Sequence, residues 1–96
     1  MREASQTTRE RITECLRESA RPASALAREF EIQTSDALDH VRHIARSLES
    51  TNEQLLVAPP ECKECGFDGF DDLVNRPSRC PECKHESISE PVFRVE

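Results

Sequence analysis

Four cysteines in the C-terminal half of the chain stand at a spacing that metal sites use. Cys62 and Cys65 form one C-x-x-C pair, Cys80 and Cys83 form a second, and fourteen residues separate the two pairs. A tight turn within each pair brings both sulfurs to one ion, and backbone N–H groups around the turn stabilise the thiolates. Two such pairs are typical of a closed, tetrahedral zinc site. The spacing therefore predicts one structural Zn²⁺ held by all four cysteines.

Other chemistry for these cysteines is less well supported. Two disulfides do not suit a reducing cytoplasm, and a redox dithiol needs only one pair. Iron remains an alternative, because rubredoxins bind it through the same paired C-x-x-C turns, although the sparse aromatic residues here do not resemble a rubredoxin core. The four cysteines leave no open coordination position for water or substrate, and no nucleophile–base pair or phosphate-binding loop is present. We therefore expect a protein that is not an enzyme.

Composition limits what the chain can be. Its 96 residues are 35% apolar and include four Phe but no Trp or Tyr, so the C-terminal half cannot build a core of its own without a metal or disulfide. No apolar run approaches the roughly 20 residues of a membrane span, and no signal peptide is visible. We expect a soluble, cytoplasmic protein with no membrane partner.

The charge is unevenly distributed. The net charge is −6, of which residues 51–96 carry −5, with five basic and ten acidic side chains. Such a balance is unlike that of a strongly basic nucleic-acid binder. Only two of the thirteen basic residues are Lys. An acidic, Lys-poor surface suits a cytoplasm of high salt, where charge is screened over a few Å.

Apolar spacing predicts a first helix over residues 8–19. Ile12, Leu16 and Ala20 recur on one helical face, with Cys15 beside them as a small buried residue. Pro22 is expected to open a second helix, because a missing N–H does no harm there.

A third helix is predicted from Thr34, as N-cap, to about Leu48, after a turn at residues 31–33. One face of it is apolar. The apolar residues are Ala37, Leu38, Val41, Ile44, Ala45 and Leu48. A helix this polarised must pack one side on a core.

Residues 26–34 and the helix that follows have the pattern of a helix-turn-helix, although Glu31 stands where such turns usually have Gly. In a helix-turn-helix the following helix enters the major groove of DNA. The candidate DNA-contacting residues are Ser35, Asp39, Arg42, His43 and Arg46. The alternative is a three-helix core with a solvated face, on which His40 and His43 are simply exposed polar groups.

Two strands are predicted in the second half, at Leu55–Ala58 and at residues 88–95, where Phe93 and Val95 share a face. The connection that contains Phe67, Phe70, Leu73 and Val74 is expected to form a weak strand or hairpin. The predicted fold is α+β, with a winged helix-turn-helix (three helices and a short β wing) followed by a small, rubredoxin-like β zinc ribbon. The expected domains are 1–54, with the helices, and 55–96, with the wing strand and ribbon.

The chain resembles a family of predicted archaeal transcriptional regulators that fuse a helix-turn-helix domain to a zinc ribbon. The likeness is carried by Leu26–Ile32, Asp36–Ile44, Pro59–Phe67 and Arg76–Cys83. It implies a winged helix-turn-helix, with Leu55–Ala58 entering the wing or the ribbon hairpin, and a role in transcription. The acidity and the high ratio of Arg to Lys look like the haloarchaeal members of that family.

These observations favour a DNA-binding transcriptional regulator with a structural zinc ribbon and double-stranded DNA as its partner. The alternative is an interaction module that docks on RNA polymerase or another basal transcription component without touching DNA. Helix-turn-helix proteins commonly bind paired half-sites as dimers, so a homodimer stays open as a third kind of partner.

Overall fold

A computed structural model describes residues 4–70 and 77–96 as three helices, a three-stranded antiparallel sheet and a C-terminal segment in which four cysteines converge. The elements, in chain order, are α1 (Ala4–Glu18), β1 (Arg21–Pro22), α2 (Ala23–Phe30), α3 (Thr34–Leu48), β2 (Leu55–Ala58) and β3 (Val92–Val95). The predicted α+β class is confirmed.

The first helix begins earlier and ends sooner than its sequence pattern predicts. Ile12 and Leu16 are fully buried, as expected, and Cys15 is half-buried. Ala20 is exposed, so its prediction as part of the apolar face was wrong. The helix ends at Glu18, and the chain turns away into β1 before Ala20 can reach the core.

The second and third helices lie close to their predicted bounds. Pro22 precedes α2 as its N-cap, with φ near −80°, which the proline ring favours. Glu31 ends α2 in the left-handed conformation, with φ at 56°, so it takes the geometry that Gly normally supplies at this point of the turn. At the start of α3 the N-cap is Gln33, and Thr34 is the first helical residue, one position from the prediction.

The central strand of the sheet comes from the end of the chain. The strand order is β1-β3-β2, and β3 pairs antiparallel with both neighbours. Phe93 and Val95 on β3 are buried within the helical core, beside residues such as Ile12 and Val41. The core of the helices is therefore completed by a strand that follows the ribbon.

The last strand is shorter than the sequence predicts. It begins at Val92, directly after the buried Pro91, which has no N–H to donate to a sheet. Ile88 forms only an isolated bridge with Cys62, within the ribbon. The predicted strand over 88–95 is thus two separate pairings joined by a proline.

The ribbon occupies residues 59–91, between β2 and β3, and has a small core of its own. Cys62, Cys80 and Ile88 are buried in it, and Phe67 and Phe70 pack against them. The two Phe rings meet edge to face, 5.0 Å apart. Neither Phe lies in a strand, so the expected weak strand is absent at residues 67–70; its other predicted members, Leu73 and Val74, lie outside the described residues.

Within the described ranges, no helix has the length and apolar character needed to cross a membrane.

Candidate metal centre and exposed helix face

The structure brings the four predicted cysteines together. Their Sγ atoms all lie within 4.8 Å of one another, with Cys62 and Cys83 at 3.5 Å and Cys65 and Cys80 at 3.7 Å. Four sulfurs about 2.3 Å from one tetrahedral ion would be about 3.8 Å apart. The cluster therefore has the size and the donor set of a tetrathiolate metal site.

The first knuckle, residues 62–67, is closed by two backbone hydrogen bonds. The N–H of Cys62 donates to the carbonyl of Phe67 at 2.8 Å, and the N–H of Gly66 donates to the carbonyl of Cys62 at 2.8 Å. Gly66 takes a left-handed conformation, with φ at 81°, which lets the chain turn sharply after Cys65.

The second knuckle, residues 80–85, repeats the first at the same offsets. The N–H of Cys80 donates to the carbonyl of His85 at 2.9 Å, and the N–H of Lys84 donates to the carbonyl of Cys80 at 3.0 Å. Lys84 stands where Gly66 stands in the first knuckle and takes the same left-handed conformation, with φ at 69°. The two halves of the site are thus built on one backbone pattern.

Backbone N–H groups in the first knuckle affect the ionisation of its two cysteines. The N–H groups of Cys65 and Glu64 stabilise the Cys62 thiolate and lower the pKa of that thiol to about 6. At Cys65 the N–H of Phe67 acts in the same direction, but desolvation and the sulfurs of Cys83 and Cys80 outweigh it and raise the pKa to about 12. Four thiols this close cannot all ionise unless a cation compensates their charge.

Two further contacts in the second knuckle reach the sulfurs from outside. The N–H of Glu82 donates to Cys80 Sγ at 3.4 Å, and His85 Nδ1 lies 3.4 Å from Cys83 Sγ. Groups at this distance from metal ligands orient them and adjust their basicity.

The site is closed on most of its surface. Cys62 and Cys80 are buried, Cys83 is half-buried, and Cys65 lies at the exposed edge. With all four ligands supplied by the chain, a bound ion has no position left for a substrate, so its role is structural.

The first knuckle is held to the segment that leads into β3. The N–H of Lys63 donates to the carbonyl of Ser87 at 2.8 Å, and the N–H of Ser89 donates to the carbonyl of Glu61 at 2.9 Å. These bonds, with the bridge between Cys62 and Ile88, fix the path of the chain from the metal centre to the sheet.

All five predicted DNA-contacting residues lie on the exposed side of α3. They are Ser35, Asp39, Arg42, His43 and Arg46. Asp39 and Arg42 approach to 3.7 Å, one helical turn apart, whereas Arg46 has no ion pair among the residues described. The opposite side of α3 is buried, so the packing of that side determines that these five polar residues face solvent. Its contact with DNA stays a prediction.

His40 was predicted to be an exposed polar group, and this was wrong. It is only 9% exposed, because its side of α3 turns toward α1, and its Nδ1 accepts a hydrogen bond from Arg9 Nε at 3.2 Å. Burial, and after it the charge of Arg9, lower the pKa of His40 below its ordinary value. His43, one turn along, is exposed as predicted.

Sequence reasoning missed one contact that joins the two halves of the chain. Glu90 accepts hydrogen bonds from both the backbone and the side chain of Ser24, at the start of α2. Nothing local to either residue indicates the pairing, since they are 66 positions apart. The left-handed Lys84, by contrast, could have been found by aligning the second knuckle on the first.

This combination of a three-helix core, a small antiparallel sheet and a four-cysteine ribbon defines a protein with a structural zinc-ribbon domain. Residues 7–56 match the family described as PF0610-like, N-terminal, and residues 59–96 match the PF0610 rubredoxin-like zinc beta-ribbon domain. The chain belongs to this PF0610-like family, and its four cysteines hold one structural zinc ion.

A solved relative extends over the whole chain. The solution NMR structure of protein PF0610 from Pyrococcus furiosus is 36% identical, with a TM-score of 0.82 over 100% of this chain and 94% of that one. No curated protein matches the sequence.

Proposed function

We propose that the protein is a DNA-binding transcriptional regulator in which α3 is the recognition helix. The order α1-β1-α2-α3-β2-β3 supports this proposal, in which α2, the turn at Glu31 and α3 form a helix-turn-helix and the β2–β3 hairpin forms its wing. In this arrangement the ribbon extends from the tip of the wing, because residues 59–91 connect its two strands.

The observation that carries the proposal is the two-sided character of α3. Its buried side packs against α1, α2 and β2, and its other side presents the five candidate residues to solvent. Arg42 and Arg46 supply the positive charge for phosphate or guanine, and Asp39 offsets part of it. We expect weak affinity for arbitrary DNA and a larger share of the binding energy from base contacts.

The proposed role of zinc is to shape the wing. The ion would cross-link the two knuckles, which lie in the connection between β2 and β3, and would so hold the two ends of that connection together. The role is binding and not catalysis, and we place the protein in the cytoplasm, where its thiolates stay reduced.

A second function is favoured by the charge of the ribbon half. Residues 51–96 carry a net charge of −5, and a zinc ion with four thiolates adds about two further negative charges. Such a surface repels phosphate but complements a basic protein patch. Docking of the ribbon on RNA polymerase or another basal transcription component is therefore the second candidate.

Titration of the zinc-loaded protein with a duplex of random sequence, by fluorescence anisotropy at several salt concentrations, tests the first proposal. The double variant Arg42→Gln/Arg46→Gln is expected to weaken binding and to reduce the salt dependence by about two released counterions. The double variant Arg11→Gln/Arg17→Gln removes the same charge from α1 and is the matched control.

Equal binding by both double variants, or no binding even at low salt, would contradict the role of α3 in DNA contact. In that case recovery of purified RNA polymerase on the immobilised protein tests the second function. Equal recovery by the wild type and by Arg42→Gln/Arg46→Gln would support docking through the ribbon.

A further inference from the structure

The outer edge of β2 carries no protective charge. The strand order places β2 at one edge of the sheet, with β3 on its inner side and no strand on its outer side within residues 4–70 and 77–96. Its four residues, Leu55–Ala58, include no charged side chain and no proline, which are the usual devices that keep an edge from pairing. In a chain with a net charge of −6, this edge is an uncharged segment.

The pairing with β3 shows which backbone groups of β2 face outward. Gln54 and Glu96 exchange two hydrogen bonds, of 2.7 and 3.0 Å, so they form a hydrogen-bonded pair. Such pairs alternate along an antiparallel ladder, so Leu56 and Ala58 also bond to β3. The N–H and C=O groups of Leu55 and Val57 therefore point away from the sheet.

This outer edge is complementary to itself. If a second copy of β2 lies antiparallel to the first, Leu55 of each copy can exchange two hydrogen bonds with Val57 of the other. A shift of two residues one way pairs Val57 with Glu53, whose N–H already donates to Thr51 Oγ1 at 3.1 Å. The opposite shift pairs Leu55 with Pro59, which has no N–H. Only the register that pairs Leu55 with Val57 gives a hydrogen-bond partner to every outward N–H and C=O group of these two residues.

The same register explains an exposed apolar side chain. It places Leu56 of one copy directly opposite Leu56 of the other, in a non-hydrogen-bonded pair where side chains are closest. Leu56 is 38% exposed and is the exposed large apolar residue of the described chain. On the other face of the sheet, Val57 of the second copy falls beside Leu55, which lines a cavity of about 240 Å³ with Leu48 of α3.

We propose that the protein forms a homodimer in which two β2 strands pair across a twofold axis at Leu56, joining two three-stranded sheets into one of six strands. Four backbone hydrogen bonds and two leucine side chains make a small interface, so the association is concentration-dependent. The proposal stands on the sheet geometry and does not depend on what α3 binds.

Sedimentation velocity of the zinc-loaded protein over about a hundredfold concentration range tests the dimer. We expect the sedimentation coefficient to rise with concentration. Leu56→Lys places two ammonium groups at the twofold axis and should weaken association at least about tenfold. Ala58→Lys adds the same charge to the same exposed face, opposite Gln54 of the second copy, and should associate nearly as the wild type does.

Amide hydrogen exchange gives a second measurement that identifies the edge. The amides of Leu56 and Ala58 bond to β3 and should exchange slowly at every concentration, whereas those of Leu55 and Val57 should become protected only as concentration rises. Fast exchange of Leu55 and Val57 at all concentrations, or equal association of Leu56→Lys and the wild type, would overturn the proposal. The edge would then be free for a strand of a different protein.

Discussion

Glu90, in the segment that leaves the ribbon, caps the helix that begins at Ala23. Its carboxylate accepts hydrogen bonds from the backbone N–H of Ser24 at 3.2 Å and from Ser24 Oγ at 2.5 Å. The N-cap of α2 is Pro22, which makes no side-chain capping bond, so Glu90 supplies from a distance the acceptor that a local cap would provide. Its negative charge also lies at the positive end of the helix dipole. The ribbon and α2 are therefore joined by a polar contact as well as by β3.

Loss of this contact is expected to destabilise the helical core. Glu90→Ala should lower the free energy of unfolding by about 0.5–2 kcal/mol, the usual cost of losing a helix cap, and Glu90→Gln by less because an acceptor oxygen remains. Urea titration followed by circular dichroism measures the change. Glu86→Ala, an exposed residue of the same segment, is the control. Equal midpoints for the two alanine variants would show that the contact adds nothing.

Removal of zinc should unfold the ribbon and spare the helices. Among the residues that the structure describes, the apolar cluster buried in the ribbon is Cys62, Cys80 and Ile88, whereas the helical core is a separate and larger cluster. Without the ion no metal links the two knuckles, so the connection between β2 and β3 costs more entropy to close and the β2–β3 pair is less stable. After chelation we expect helical circular dichroism to persist, a lower melting temperature, and collapse of the ribbon NMR signals.

Cysteine variants distinguish the loss of a metal ligand from the loss of a thiol elsewhere in the chain. Cys80→Ser should lose the ion, whereas Cys15→Ser, which lies on α1 far from the cluster in sequence, should keep one zinc per chain by mass spectrometry. A ribbon that keeps its NMR signals after complete chelation would refute the structural role of the ion.

The repeated knuckle predicts opposite effects of two substitutions at matching positions. Gly66→Ala should weaken zinc binding by about 1–2 kcal/mol, or roughly 5–30-fold, because a Cβ makes the left-handed conformation costly. The cost is conformational, since no described atom beyond Gly66 and its two chain neighbours lies within 4 Å of the added Cβ. Lys84→Gly relieves the same conformational cost in the second knuckle and should tighten zinc binding by up to about 1 kcal/mol. The gain is partly offset because Gly also raises the conformational entropy of the unfolded chain.

Competition with a chromophoric chelator measures both affinities. A loss of zinc affinity in Lys84→Gly as large as that in Gly66→Ala would mean that the lysine side chain, whose Nζ lies 3.4 Å from the Pro81 carbonyl, matters more than its backbone conformation.

His40 should make stability depend on pH. Its pKa is lowered in the folded state, first by burial and then by Arg9; His43 acts in the same direction, while Asp36 and Asp39 oppose it. The unfolded chain therefore takes up a proton near the ordinary pKa of 6.5 that the folded chain resists. The contribution of His40 to the free energy of unfolding is therefore complete above about pH 6.5 and is lost as the pH falls from there through the folded pKa.

The variant His40→Gln isolates this effect, because Gln retains an acceptor for Arg9 but does not titrate. Between about pH 7.5 and 5.5 the wild type should lose more unfolding free energy than the variant, as measured by urea titration at each pH. Zinc-ligand protonation affects both proteins equally and cancels. Parallel pH profiles would exclude His40 as the source.

The sequence by itself determined the metal centre and most of the local elements. A C-x-x-C turn is closed by bonds within six residues, so its pattern is visible in a short segment, and the four predicted ligands do converge. The bounds of β2 and the end of α3 were also correct, because alternating or helical burial is a property of neighbouring residues. Burial of Phe93 and Val95 followed from the same periodicity.

Only the tertiary structure decided which partner each element finds. The placement of β3 between β1 and β2, the capping of α2 by Glu90 and the burial of His40 against Arg9 each join residues more than 30 positions apart. Sequence periodicity shows that a face is buried but not what covers it. The first two of these pairings depend on the ribbon, which returns the chain from the end of β2 to the middle of the sheet, whereas His40 and Arg9 meet where α1 packs on α3.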